Sequence, residues 1–316
     1  MKRNWVTTCV EQLKEKSRYE GIEIAFSIDG SEINPINKPN LQVLILLEPP
    51  SVMPENYSKK KWRFFDLVIL LSPWRSSLYG HTYSIFQPIT RPFKNHTVNY
   101  SKDSSVCMIN DFKFGSVKSS LYGWRLELLR KLEEKGLEVK VFGPNWQMSK
   151  LMEIRKRFAA SKRAIGKPSF DLFEAWSSLF FRPSGYCGHS PDKLNTLTNH
   201  EYSIVIENDL YSLTEKLFDS VFAGNKVFYH GPQLDQFEFL EGLCFQLPES
   251  VEEATEVILQ RENIEWSAYQ KNVRNFTMDQ GSMVYFSENF IAERVFDIIK
   301  NSEAAKSSYQ SIKLKP

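Results

Sequence analysis

The sequence predicts an α/β protein of two domains built on open parallel sheets, and three observations carry that expectation. At 316 residues the chain is long for one domain and comfortable for two, each with a sizeable core. Near-continuous apolar runs of strand length stop abruptly at loop residues, as in Leu41 to Leu47, which ends at Glu48-Pro49-Pro50. Such runs mark strands buried on both faces of a parallel sheet. Helical patterns alternate with the runs, the order expected of an open α/β sheet.

In chain order, a polar helix is expected around residues 8–19, followed by strands at 22–27, 41–47 and Asp66 to Leu71. Residues 86–104, with Pro88, Pro92 and a polar stretch from Asn95 to Ser104, read as a connection. This gives a first domain of residues 1–100 and a second of 101–316, with the last helix expected to pack back on the first. The second series opens with a strand from Val106 to Asn110. A helix from Ser120 to Lys135 follows, its stripe made by Leu121, Trp124, Leu128, Leu129 and Leu132 and its end by Gly136. Strands follow at Val139 to Phe142, Tyr202 to Ile206 and Val227 to Tyr229, with helices at Thr214 to Ala223, Val251 to Gln260 and Phe290 to Lys300.

Composition narrows the function classes. Apolar residues make up 42% and charged residues 25% of the chain, which argues against disorder or a coiled coil. A net charge of +2 is too small to imply a nucleic-acid partner, and none is expected. Positive charge gathers between Lys150 and Lys167, interleaved with Leu151, Met152, Ile154 and Phe158. That stretch reads as a solvated helix face, with peripheral contact to an anionic membrane surface as the alternative. Cys9, Cys107, Cys187 and Cys244 are far apart, so reduced thiols are expected. Cys187 and His189 lack a second pair at zinc-ligand spacing, and there is no Asp-x-Asp triplet, so no metal and no other cofactor is expected. No apolar stretch approaches the roughly 20 residues of a membrane span. The expected compartment is the cytoplasm, with the membrane surface as a peripheral site.

The stretch from Tyr202 to Pro232 carries the most chemistry. A buried strand ends at Ile206-Glu207-Asn208, a polar loop with Tyr211 and Ser212 follows, and Thr214-Glu215-Lys216 opens a helix that leads to a second strand and Gly231. A helix start with free N–H groups beside a lysine suits an anion, and a carboxylate there can accept from ribose hydroxyls. The same residues also serve as a capping box and a solvated lysine in many helices.

This stretch resembles the donor signature of family 10 glycosyltransferases, the α-1,3/1,4-fucosyltransferases, in their bacterial form without a membrane anchor. That family's pattern is Phe-Glu-Asn, a loop, Thr-Glu-Lys, a helix, and an apolar strand ending in Gly. Upstream, Val106 to Asn110 followed by Trp124-Arg125 is similar to the family's strand and arginine-bearing helix, and Leu47-Glu48-Pro49 resembles its base-bearing loop. The loop from Asn208 to Thr214 is shorter than the family's. Ser212 stands where a tyrosine is usual, with Tyr211 one place earlier, and Val227 to His230 lacks the Pro-Ile-Tyr-Trp ending.

The resemblance implies the GT-B-type architecture, two Rossmann-like domains facing a cleft. The first domain would be the acceptor side and the second the side that binds the nucleotide sugar. It further implies inverting transfer of fucose or a related sugar from a GDP-sugar to a glycan or glycolipid hydroxyl. Glu48 would take the proton, and Arg125 and Lys216 would neutralise the leaving diphosphate. Asn208, Tyr211, Ser212, Thr214 and Glu215 would complete the donor site. His230 would either reach the donor or be satisfied locally. A non-catalytic nucleotide- or glycan-binding protein on the same fold is the alternative.

Overall fold

The computed structural model describes residues 11–12, 15, 24–29, 31–32, 41–70, 72, 83–84, 102–113, 117–146, 181–278 and 286–302. The Lys150 to Lys167 stretch and most of the segments 8–19 and 86–104 lie outside these residues. The chain divides into two compact units, one of Met1–Arg91 with Gly281–Pro316 and the other of Pro92–Gln280.

The first unit is built on a five-stranded sheet in the order β2-β1-β3-β4-β5. Its strands are β1 (Ile24–Ile28), β2 (Ser31–Glu32), β3 (Leu41–Leu46), β4 (Leu67–Leu70) and β5 (Tyr83–Ser84). Among the described strands of this sheet, only the β1–β2 pairing is antiparallel. Both faces of the sheet are covered, which explains the near-continuous apolar runs. Phe26, Val43 and Ile69 pack under the closing helix, whose Ile291, Val295 and Ile299 recur at helical spacing. Leu44, Leu46, Val68 and Leu70 face the other way, toward Tyr57, Trp62 and Phe65 around the short helix α1 (Lys59–Trp62). The carboxyl ends of β1 and β3 therefore carry Asp29 and Glu48 side by side.

The second unit holds six parallel strands in the order β11-β10-β9-β6-β7-β8. These are β6 (Asp103–Ile109), β7 (Val139–Phe142), β8 (Tyr186–Gly188), β9 (His200–Ile206), β10 (Lys226–His230) and β11 (Phe245–Gln246). The chain runs outward from β6 through β7 and β8, then returns to β9 on the other side of β6 and runs outward again. The order thus reverses between β6 and β9, and ligands of open α/β sheets bind beyond the strand ends at such a point.

On one face α2 (Tyr122–Glu134) and α5 (Val251–Leu259) close a core with Leu128, Leu129, Leu132, Ala254 and Ile258. Gly136, at φ 82°, ends α2 in a conformation that glycine tolerates best. The N–H of Leu137 bonds the carbonyl of Leu132, and that of Gly136 the carbonyl of Glu133. The other face carries α3 (Lys193–Thr198) and α4 (Glu215–Phe222). A polar helix α6 (Ser267–Met278) ends the unit, and α7 (Glu288–Asn301) is the closing helix of the first unit. Among the described residues, no helix is long and apolar enough to cross a membrane.

Candidate functional site

Glu207 sits immediately after β9 and is fully buried. A carboxylate without water needs several donors, and the start of α4 supplies them. The Thr214 N–H donates to Oε1 at 2.8 Å and the Thr214 hydroxyl to Oε2 at 2.7 Å. Lys216 Nζ donates to Oε2 at 3.1 Å. The same ammonium reaches Thr214 Oγ1 at 3.2 Å and Asn208 Oδ1 at 3.5 Å. Thr214 is the N-cap of α4, its hydroxyl accepting from the Lys216 N–H at 3.5 Å. Glu207 thus closes the loop 208–213 onto the helix. Gly231 is part of this packing: a Cβ there would lie 2.9 Å from Glu207 Cγ and 2.6 Å from Tyr229 Oη, so any other residue would displace the carboxylate.

A second tether holds the middle of the loop. Asp209, also fully buried, accepts from Ser119 Oγ at 2.6 Å and from the Tyr211 N–H at 3.0 Å. The backbone of the loop pairs with the segment before α2, through Leu121 N to Asn208 O at 3.3 Å and Leu210 N to Ser119 O at 3.0 Å. Ser212 is buried and its N–H donates to Asp209 O at 3.3 Å.

Asn208, Tyr211, Ser212, Thr214, Glu215 and Lys216 therefore share one loop and one helix start. Arg125 joins them from α2, but not as an exposed cation. It is 2% exposed, and its guanidinium donates to the carbonyls of Asp111 at 3.1 Å, Ile206 at 3.0 Å and Glu207 at 3.2 Å. Burial lowers its pKa to about 10. The physical reason for this placement is local: strand ends at the core edge leave carbonyls without ladder partners, and a planar fork of donors satisfies several at once. The sequence reading puts this guanidinium on the donor diphosphate, whereas here it holds the backbone on which the loop is mounted.

Two residues missed as site residues belong here. Glu207 was legible only as part of a pattern. Lys193 opens α3, where Asp192 caps the helix by accepting from the N–H groups of Leu194 and Asn195. Its Nζ lies 3.4 Å from Glu215 Oε1 and 3.8 Å from Asp219 Oδ2. Lys193 and Lys216 both line a pocket of about 310 Å³, open mouth included, between α3, α4 and the sheet, beside Asn110 at the end of β6 and Ser203 on β9. The pocket therefore lies at the reversal point of the strand order.

His230, at the end of β10, is covered rather than presented. It is 4% exposed, and its ring stacks on Trp124 with centroids 3.8 Å apart and planes at 9°. Burial pulls its pKa down to about 4.

In the first unit, Glu48 is fixed through its backbone. Its N–H and that of Leu47 donate to Asp29 Oδ1 at 3.3 and 3.0 Å, and its carbonyl accepts from Tyr57 Oη at 3.0 Å. The half-buried carboxylate accepts no hydrogen bond and forms no ion pair with the described residues. Asp29 has φ 48°, a conformation to which Asp is better suited than most residues. Burial raises its carboxyl to about 6 despite the two N–H donors.

No family model and no curated protein matches the chain. Among solved structures it is similar to TarM, with a TM-score of 0.54 and 12% identity over 93% of this chain and 58% of that one. It is also similar to Anabaena HepE in complex with UDP and glucose, with a TM-score of 0.51 and 13% identity over 83% of this chain and 72% of that one. The chain thus spans little more than half the length of TarM. Both neighbours are GT-B glycosyltransferases, and at this identity the likeness concerns the fold, which is the GT-B fold of two Rossmann-like units.

Proposed function

We propose that the chain is a glycosyltransferase whose second unit binds a nucleotide sugar and whose first unit supplies Glu48 as general base. The observation that carries this reading is the clamp of Glu207, Thr214 and Lys216 at the reversal point of a parallel sheet. It positions an ammonium group at a helix start, beside a pocket, where a leaving diphosphate gains charge. The GT-B fold raises the prior for this chemistry, and HepE holds UDP and glucose on that fold. The donor is a GDP-sugar and the transferred group fucose or a related sugar, a reading that rests on the Glu-Asn and Thr-Glu-Lys pattern.

In the reaction, the acceptor hydroxyl of a glycan or glycolipid attacks the anomeric carbon on the face opposite the nucleotide, giving inversion. Glu48 takes the hydroxyl proton as the bond forms. Its backbone, held by Asp29 and Tyr57, and a carboxylate with no hydrogen bond or ion pair among the described residues suit that task. Lys216 donates to the departing diphosphate, and the N–H groups of α4 assist. Arg125 acts indirectly by holding the carbonyls of Ile206 and Glu207 in place.

Thermal shift with GDP, UDP and CMP tests the donor reading. A ligand at 100 times its dissociation constant stabilises by about 2.7 kcal/mol. GDP is expected to protect most, and incubation of GDP-fucose with a glycan panel is expected to release GDP. Stronger protection by UDP would replace the nucleotide and keep the enzyme class. No protection by any nucleotide would remove the donor site.

A further inference from the structure

The N–H groups of the loop that bears Glu48 converge on one oxygen atom. Between Leu47 and Pro50 the backbone has only two N–H groups, because Pro49 and Pro50 carry none. Both donate to Asp29 Oδ1, Leu47 at 3.0 Å and Glu48 at 3.3 Å. Asp29 is aimed there by its own backbone. It follows β1 directly, its N–H donates to the carbonyl of Ile45 on β3 at 3.0 Å, and its φ of 48° turns the chain at the strand end. A carboxylate that accepts N–H groups binds them more strongly than a neutral acceptor does.

The fold alone gives no reason for a charge at this position. Asparagine also accepts through its Oδ1 and is equally suited to positive φ. Burial, and then the neighbouring Glu48 and Glu55, raise the Asp29 carboxyl to about 6, outweighing the two N–H donors. A folded value above the ordinary 3.8 means that the stability linked to this group is present below 3.8 and is lost as pH rises through about 6. The ionised form therefore works against the fold at neutral pH. The charged groups nearest to it among the described residues are Glu48, after β3, and Glu55, in the turn before α1, both acidic.

We infer that Asp29 is a positioning residue for the transfer reaction, its carboxylate fixing the Leu47-Glu48 backbone from which the base projects. This role rests on the reading of Glu48 as the base. Protonation of Asp29 weakens both hydrogen bonds, so transfer is expected to decline as pH falls through about 6.

Two readouts on the full chain test this role. In nitrogen-15 NMR the amide signals of Leu47 and Glu48 are expected to shift together with a midpoint near pH 6, a step that Asp29→Asn abolishes; no substrate is needed. Absence of that step in the wild type, or its persistence in Asp29→Asn, overturns the role. In transfer from GDP-fucose to a glycan, Asp29→Asn is expected to lower kcat about 3–10-fold, the difference between a charge-assisted and a neutral hydrogen bond. Asp29→Ala, which frees the loop, is expected to lower it about 10–100-fold. Affinity for GDP should hold in both, and the melting temperature of Asp29→Asn at pH 7 should be unchanged or higher. A residue that only held the fold together would lower the melting temperature in step with kcat. Full turnover by both Asp29 variants, with Glu48→Gln inactive, overturns the positioning role and leaves the base standing. Full turnover by Glu48→Gln overturns the base and the positioning role with it.

Discussion

Replacing Arg125 with methionine is expected to lower the stability of the second unit by about 3–5 kcal/mol. The guanidinium makes three bonds to carbonyls, at 3.1, 3.0 and 3.2 Å. Bonds from a charged donor contribute about 1.5–3 kcal/mol each, so the gross loss is roughly 4.5–9 kcal/mol. Against it stands the cost of keeping the cation out of water, several kcal/mol, which the lowered pKa of about 10 reflects. Methionine keeps the apolar stem and leaves the three carbonyls short of donors. In a unit of this size about 1 kcal/mol moves the midpoint by roughly 2–4 °C, so the transition of the second unit should fall by roughly 6–20 °C. Differential scanning calorimetry of the full chain reads this directly. Arg125→Lys, with one ammonium for three carbonyls, should recover part of the loss. A melting temperature within about 2 °C of wild type, together with lost binding of GDP, would refute the buttress and return the guanidinium to the ligand.

Glu48→Gln keeps the shape of the side chain but cannot take a proton, so transfer should fall by roughly 10²–10⁴-fold while donor affinity holds; near-wild-type turnover would remove Glu48 as the base. Lys216→Gln should weaken GDP binding about 10–100-fold, the loss of a charge-assisted bond, and also lower stability because buried Glu207 loses its cation; unchanged affinity would take the lysine off the ligand. Acidification should destabilise the second unit through His230. Its folded pKa of about 4 lies below the usual 6.5, so the unfolded chain binds the extra proton between those values. Stability present above pH 6.5 is thus lost as pH falls toward 4, by about 3 kcal/mol. An imidazole signal that titrates near 6.5 in the folded protein would contradict this.

The parts of the fold that were legible are those where burial writes itself into composition. Leu67–Leu70 and, apart from Gln42, Leu41–Leu46 are apolar because both faces of their sheet are covered, while Val139–Phe142 alternates buried valines with part-exposed residues. The start of α4 was legible because Thr214 caps it. Missed elements lack such signals: α3 and α6 are polar, β8 has no fully buried residue, and β11 is two residues long. Within the site, the residues close in sequence were found, and the partnerships across elements were not. Lys193 meets Glu215 only because α3 and α4 pack together, and nothing near residue 125 says that three carbonyls beyond two strand ends await a donor.

The short loop after Asn208 acquires a physical meaning from its tethers. A shorter loop costs less entropy to close, and this one is pinned at its ends by Glu207 and in its middle by Asp209. Both carboxylates are fully buried, so neither can bind a ligand without dismantling the loop. Their role is to set Lys216 in place before any ligand arrives, which lowers the ordering cost of binding. Glu215 differs: its side chain is a quarter exposed, and Lys193 Nζ lies 3.4 Å from its Oε1. Of the three acidic residues in this segment, Glu215 is thus the one whose side chain reaches solvent, while the other two keep the frame of the loop.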